Sequence, residues 1–179
     1  HAIDTKHSTL TIHVGKTGAF SAFGHEHEIR GAIDRGSAET SAHPSVEVHV
    51  SARALKVIDK DESDKARAEV QRTMLGPEVL DSQRFKDIVF KSTSAKSAGD
   101  GKWTVKGNLT LRGKTKPVSV LVTLKDNRYT GQATVKQTDF GIKPPTALMG
   151  TLRTKDAVTV RFELILSAQG AAALTDRIR

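Results

Sequence analysis

The chain has 179 residues, enough for one domain that buries roughly two thirds of its unfolded surface and too few for two full cores. Hydrophobic residues make up 37% and charged ones 27%, a polar globular balance that excludes a disordered chain, and no apolar run approaches the ~20 residues of a membrane-spanning helix. The net charge of +8 admits a transient contact with an anionic membrane surface, but one Trp and one Tyr are too few stacking platforms for nucleic acid, and the lack of cysteine excludes disulfides and thiolate sites.

The chain starts at His1 with no basic and apolar leader, so removal of a signal peptide is expected. Beyond it the dominant period is two, which marks strands with one buried and one wet face. In the first, Leu10, Ile12 and Val14 alternate with Thr9, Thr11 and His13. The second runs from Phe23 to Ile33, with Phe23, His25, His27 and Ile29 on the inward parity and Glu26, Glu28 and Arg30 outward. The third places Val46, Val48 and Val50 opposite Glu47 and His49. Then the period changes: Ala66, Val70 and Met74 recur at helical spacing between Ser63, which can cap, and Gly76-Pro77, which can terminate.

Strands resume at Ile88 to Ser92, with Ile88 and Phe90 inward. Trp103, Val105, Leu109 and Leu111 make the fifth, Val118, Val120, Val122 and Leu124 the sixth, Tyr129 to Gln137 the seventh, and Val158, Val160, Phe162, Leu164 and Leu166 the eighth. Gly99-Asp100-Gly101, Arg112-Gly113-Lys114 and Asp126-Asn127 are tight turns, so the strands they join are antiparallel. The chain therefore reads as all-β: eight antiparallel strands with one helical insertion between strands three and four. Closure into a barrel is favoured because it removes exposed edges, with a sandwich as the alternative. The domain is expected over 1–167, followed by a frayed tail over 168–179.

Three segments remain. Asp139-Phe140-Gly141-Ile142 reads as a strand end running into a loop, with Phe140 buried. Pro144 to Met149 is an apolar loop, either plain core or a lip over a cavity to which Met149 would adapt. Arg112, Lys114 and Lys116 read as a solvated turn in preference to an anion-docking patch.

His25 and His27 are the sharpest chemical pair. Same-face residues on a strand lie ~6.5 Å apart, close enough to share a metal ion, but a firm site needs a third ligand, and His13 and His49 carry the outward parity. Otherwise the two are inward polar groups held by backbone, water or a ligand head group. No nucleophile elbow or glycine-rich phosphate loop is present to support catalysis.

Four ordered blocks carry a resemblance: Ile3 to Ser8, Phe85 to Ser92, Val105 to Val118 and Thr138 to Ile142. They resemble the YceI-like family of polyisoprenoid-binding, lipocalin-like barrels, and the likeness extends from Ala2 to about Ser167. The resemblance implies an eight-stranded lipocalin-like barrel, a periplasmic or secreted location, and an amphiphilic isoprenoid, quinone-type or fatty lipid as ligand. Its tail would lie against Phe23, Ile29, Val48, Val50, Ile88, Phe90, Leu109, Leu111, Val120, Val122, Phe140, Met149, Val160, Phe162 and Leu164, with His25 and His27 at its polar end. The competing expectations are a metal-binding or metal-assisted barrel using His25 and His27, and an interaction module whose core Phe23, Phe90, Trp103 and Phe162 fill. Pairing of two copies is open.

Overall fold

The computed structural model describes residues 1–18 and 26–168. Within them the alternating pattern becomes thirteen strands: β1 (Thr9–Val14), β2 (Lys16–Thr17), β3 (His27–Gly31), β4 (Ile33–Glu39), β5 (Ser45–Ser51), β6 (Lys56–Val57), β7 (Asp87–Gly99), β8 (Lys102–Leu111), β9 (Lys114–Lys125), β10 (Arg128–Lys136), β11 (Thr146–Ala147), β12 (Leu152–Thr154) and β13 (Ala157–Ile165). Ten form one antiparallel sheet in the order β4-β5-β7-β8-β9-β10-β13-β1-β3-β6, and β11, β12 and β2 make a small second sheet.

The large sheet curls on itself because β3 and β4 are one bent strand, parted only at Ala32: its first half pairs with β1 and its second with β5. At the other end of that seam residues 2–3 lie between β4 and the end of β13, where Ile3 N–H donates to Gly36 O (2.9 Å) and Asp4 N–H to Ile165 O (2.8 Å). With β3 and β4 counted together and the two-residue β6 set aside, the wall has eight long strands, as the periodicity predicts. The extra strands are short pieces at the ends.

Two strands run further than their sequence suggests. The bent strand continues to Glu39 past a bulge between Ile33 and Arg35, and β7 continues to Gly99 past bulges at Ser92/Ser94 and Ser97/Gly99. Each bulge resets the parity, so the apolar alternation ends before the pairing does. The tight turns hold as expected: Arg112-Gly113 (φ 49° and 70°) and Asp126-Asn127 (φ 51° and 59°) have two left-handed residues each, the form whose twist matches a hairpin.

The insertion forms α1 (Asp64–Leu75), which starts at Ser63, whose Oγ accepts from Ala66 N–H (3.2 Å), and stops at Gly76. Met74, buried against Val79, Leu80, Phe140 and Ile142, closes one end of the barrel. Each such side chain withdrawn from water contributes ~1.5–3 kcal/mol. The helix also finishes the free edge of β6: Gln71 Oε1 accepts from Val57 N–H (2.7 Å) while its Nε2 donates to Leu55 O (2.8 Å).

The turn at Arg112 is more than a solvated one. Its guanidinium donates to Gly141 O and, through Nη2, to Pro77 O (2.7 Å), so it buckles the β8–β9 turn to the closed end, while Lys114 and Lys116 are exposed as expected. The tail from 169 onward lies outside the described residues.

Candidate functional site

The inward parity of the barrel strands surrounds a cavity of about 410 Å³. This falls within the ~300–1,000 Å³ of small-molecule pockets. At its closed end the lining residues Met74, Val79, Leu80, Gln137 and Ile142 are buried. At the opposite end the lining includes Glu39 and Thr40, exposed residues of the β4–β5 turn, so the mouth is there. Among the described residues the lining carries one ionisable charge, Glu39. Backbone N–H groups of Ser41 (3.1 Å) and Thr40 (2.9 Å) donate to its carboxylate and hold its pKa below the usual carboxylate value, so the rim is anionic at neutral pH. The other polar groups are few: Thr40 and Ser45 at the rim, Trp103, Tyr129, and Gln137 on the floor.

The barrel stays hollow although bulky rings point inward. An ideal Cβ on Gly107 would stand 2.5 Å from the Phe90 ring, and one on Gly131 would stand 2.6 Å from the Phe162 ring. The tip of each ring thus packs against a glycine of a neighbouring strand while the ring still lines the lumen, and the filled core that Phe90, Trp103 and Phe162 suggested is not formed.

Most residues named from the inward parity lie on this surface: Ile29, Val48, Val50, Ile88, Phe90, Leu109, Leu111, Val120, Val122, Val160, Phe162 and Leu164. Phe23 and His25 lie outside the described residues. Three others are placed elsewhere. Phe140 is buried, as expected, but in a 3-10 turn (Gln137–Phe140) that packs beneath the floor. Met149 is fully exposed, in a left-handed conformation (φ 57°) at the tip of the β11–β12 hairpin, which leaves the barrel at its closed end; it is neither core nor lip.

His27 keeps the inward parity but does not line the cavity. Its Nδ1 donates to Asp59 Oδ2 (2.7 Å), and Asp59, itself buried, also accepts from Glu28 N–H (2.7 Å). The Asp59 carbonyl accepts from Arg67 Nη1–H of α1 (2.8 Å), so through Asp59 the histidine is tied into the structure that closes the barrel. His13 and His49 face outward as their parity requires, His13 beside Glu26 (3.0 Å) and His49 between Arg35 and Glu47. Among the described residues no three His, Cys, Asp or Glu side chains converge on a point that would hold a metal ion.

Among the lining residues that the sequence-based site did not include, Gln137 is the polar one on the floor. Backbone N–H of Gln137 donates to Asp156 O (2.9 Å), and its side-chain Nε2 donates to Lys155 O (2.8 Å). The signal was present: 129, 131, 133, 135 and 137 share one parity, and following it past Val135 puts Gln137 inside.

The profile of the YceI-like domain matches residues 1–166. The chain belongs to the YceI-like family. Among curated relatives, this YceI-like chain is 28% identical over 155 residues to a UPF0312 protein of Shewanella oneidensis, covering 80% of this chain and 76% of that one. It is 30% identical over 122 residues to a UPF0312 protein of Vibrio cholerae, covering 67% and 60%. In structure it is similar to BcnA of Burkholderia cenocepacia, with a TM-score of 0.67 and 20% identity over 92% of this chain and 99% of that one. The Campylobacter jejuni YCEI protein superposes with a TM-score of 0.53 at 13% identity, over 78% and 85%. At these identities the likeness to solved structures establishes the lipocalin-like barrel fold.

Proposed function

We propose that this YceI-like protein is a non-enzymatic carrier that holds one amphiphilic isoprenoid or other single-chain fatty lipid in its barrel, in the periplasm or as a secreted protein. The observation that carries this reading is the apolar cavity of about 410 Å³, open at one end and closed at the other by α1 and its neighbours. Family membership supports the same ligand class. From Tyr129 to Gln137 the chain climbs about 26 Å along its strand, which a barrel tilt of about 40° reduces to about 20 Å along the axis. The tails of one bilayer leaflet span about 15 Å, so the slot suits a chain longer than an ordinary acyl tail. Each buried methylene contributes ~0.8 kcal/mol, so a long tail binds tightly with few polar contacts.

The direct test is native mass spectrometry of protein purified gently from its own host, repeated after denaturation. A discrete adduct of several hundred daltons, released on denaturation, is expected; bare protein that also fails to take up added prenyl lipid rejects the carrier reading. Val120 is buried in the wall and lines the cavity, so Val120→Trp is expected to abolish lipid uptake, with circular dichroism confirming the fold. Normal uptake by the folded variant would place the ligand elsewhere.

A further inference from the structure

Gln137 poses a question that the apolar walls do not answer. It is 8% exposed, it lies on the floor of the cavity, and one of its amide N–H groups is committed to Lys155 O at 2.8 Å. A carbonyl can only accept, so this bond fixes which end of the amide is nitrogen and leaves the carbonyl oxygen as the outstanding group. Among the described residues no donor meets that oxygen.

The two ends of the slot are not equivalent for a polar group. At the mouth, water is available, so a head group there gains little by exchanging water for Tyr129 or Ser45. At the floor the neighbouring side chains, Met74, Val79, Leu80 and Ile142, offer a polar group no hydrogen bond. A hydrocarbon terminus placed against Gln137 would leave its oxygen without a donor, whereas a hydroxyl placed there satisfies both groups at once. Charge decides the class further. Among the described residues the charged side chain in the lining is Glu39, an acid held in its charged form, and the lining holds no lysine or arginine. A phosphate or carboxylate would give up its hydration and find no counter-charge along the whole path.

We propose that Gln137 is the specificity-determining residue of this cavity, accepting a hydrogen bond from the terminal hydroxyl of a neutral, single-chain lipid alcohol that is inserted head first. The proposal rests on the carrier reading and adds to it the ligand's head group and its direction. The half-exposed apolar residues near the mouth, Trp103, Val122, Leu124 and Leu166, then cover the far end of the tail.

The test compares three probes of equal chain length, geranylgeraniol, geranylgeranyl monophosphate and the parent hydrocarbon, by displacement of a fluorescent lipid from the wild type and from Gln137→Leu. The wild type is expected to bind the alcohol about tenfold more tightly than the hydrocarbon and the phosphate most weakly, and Gln137→Leu to lose the preference for the alcohol while keeping the hydrocarbon. A wild type indifferent between alcohol and hydrocarbon, a preference for the phosphate, or a preference that survives in Gln137→Leu would each overturn the proposal while leaving the carrier reading intact. Failure to bind any of the three would overturn both. Because Gln137 also holds Lys155, the wild type supplies a second readout: nuclear Overhauser contacts between the hydroxymethyl protons of bound geranylgeraniol and the Gln137 side-chain amide are expected. Contacts of the terminal methyl groups with that amide would reverse the direction and sink the inference.

Discussion

Asp156 shows how one side chain sets the floor of the cavity. Its carboxylate accepts from Thr138 N–H (2.8 Å) and Thr138 Oγ1–H (2.7 Å), while its own carbonyl accepts from Gln137 N–H, so the turn that carries Gln137 is gripped on both sides. The Thr138 backbone bond, followed by the hydroxyl, holds the Asp156 pKa below the usual 3.8. A carboxyl whose native pKa is depressed stabilises the fold above its unfolded pKa, and that contribution is lost as pH falls through the native value. Asp156→Asn is therefore expected to melt below the wild type at about pH 7, with the difference shrinking toward about pH 2.5. Thermal denaturation at the two pH values measures this, and a gap unchanged by acid would assign the effect to something other than ionisation.

Among the elements, α1 and β6 depend on each other through Gln71. A two-residue edge strand holds few ladder bonds, and the Gln71 amide supplies a donor and an acceptor to its open side as a further strand would. Gln71→Leu is expected to cost about 1–3 kcal/mol, read from denaturant midpoints, because it leaves the Val57 N–H and Leu55 carbonyl without partners. A loss below a few tenths would mean that water replaces the amide. The same region shows what a sequence displays and what it conceals. The strands of Trp103 to Leu111 and Val118 to Leu124 were legible because apolar and polar residues alternate without interruption, and α1 because Ser63 and Gly76-Pro77 bracket a helical stripe. The far half of the bent strand was hidden because its inward positions, Gly36 and Ala38, are too small to signal burial. The sequence does not reveal that His27 turns away from the lumen, because its partner, Asp59, is distant in sequence and belongs to no periodic pattern. Gln137, by contrast, was readable from parity alone.

For the whole molecule, the decisive feature is that the exposed rim of the lumen lies at one end, while α1, the Gln137–Phe140 turn and the segment through Val79 and Leu80 close the other. Among the described residues the lumen opens at the Glu39 rim, and a carrier of that shape would turn chain length into time. In the proposed carrier a bound chain would leave by sliding back through the mouth, and each methylene returned to water would add ~0.8 kcal/mol to that climb. Dissociation is then expected to slow about tenfold for every two carbons, until the chain outgrows the slot and further carbons hang in water without effect. Stopped-flow transfer of a graded series of lipid alcohols to acceptor vesicles measures this; rates independent of length, or slowing that never levels off, would contradict a lumen closed at one end. Short chains would escape before reaching a destination and long ones would stay, so the same wall that shelters a ligand would also sort it by how long it is held.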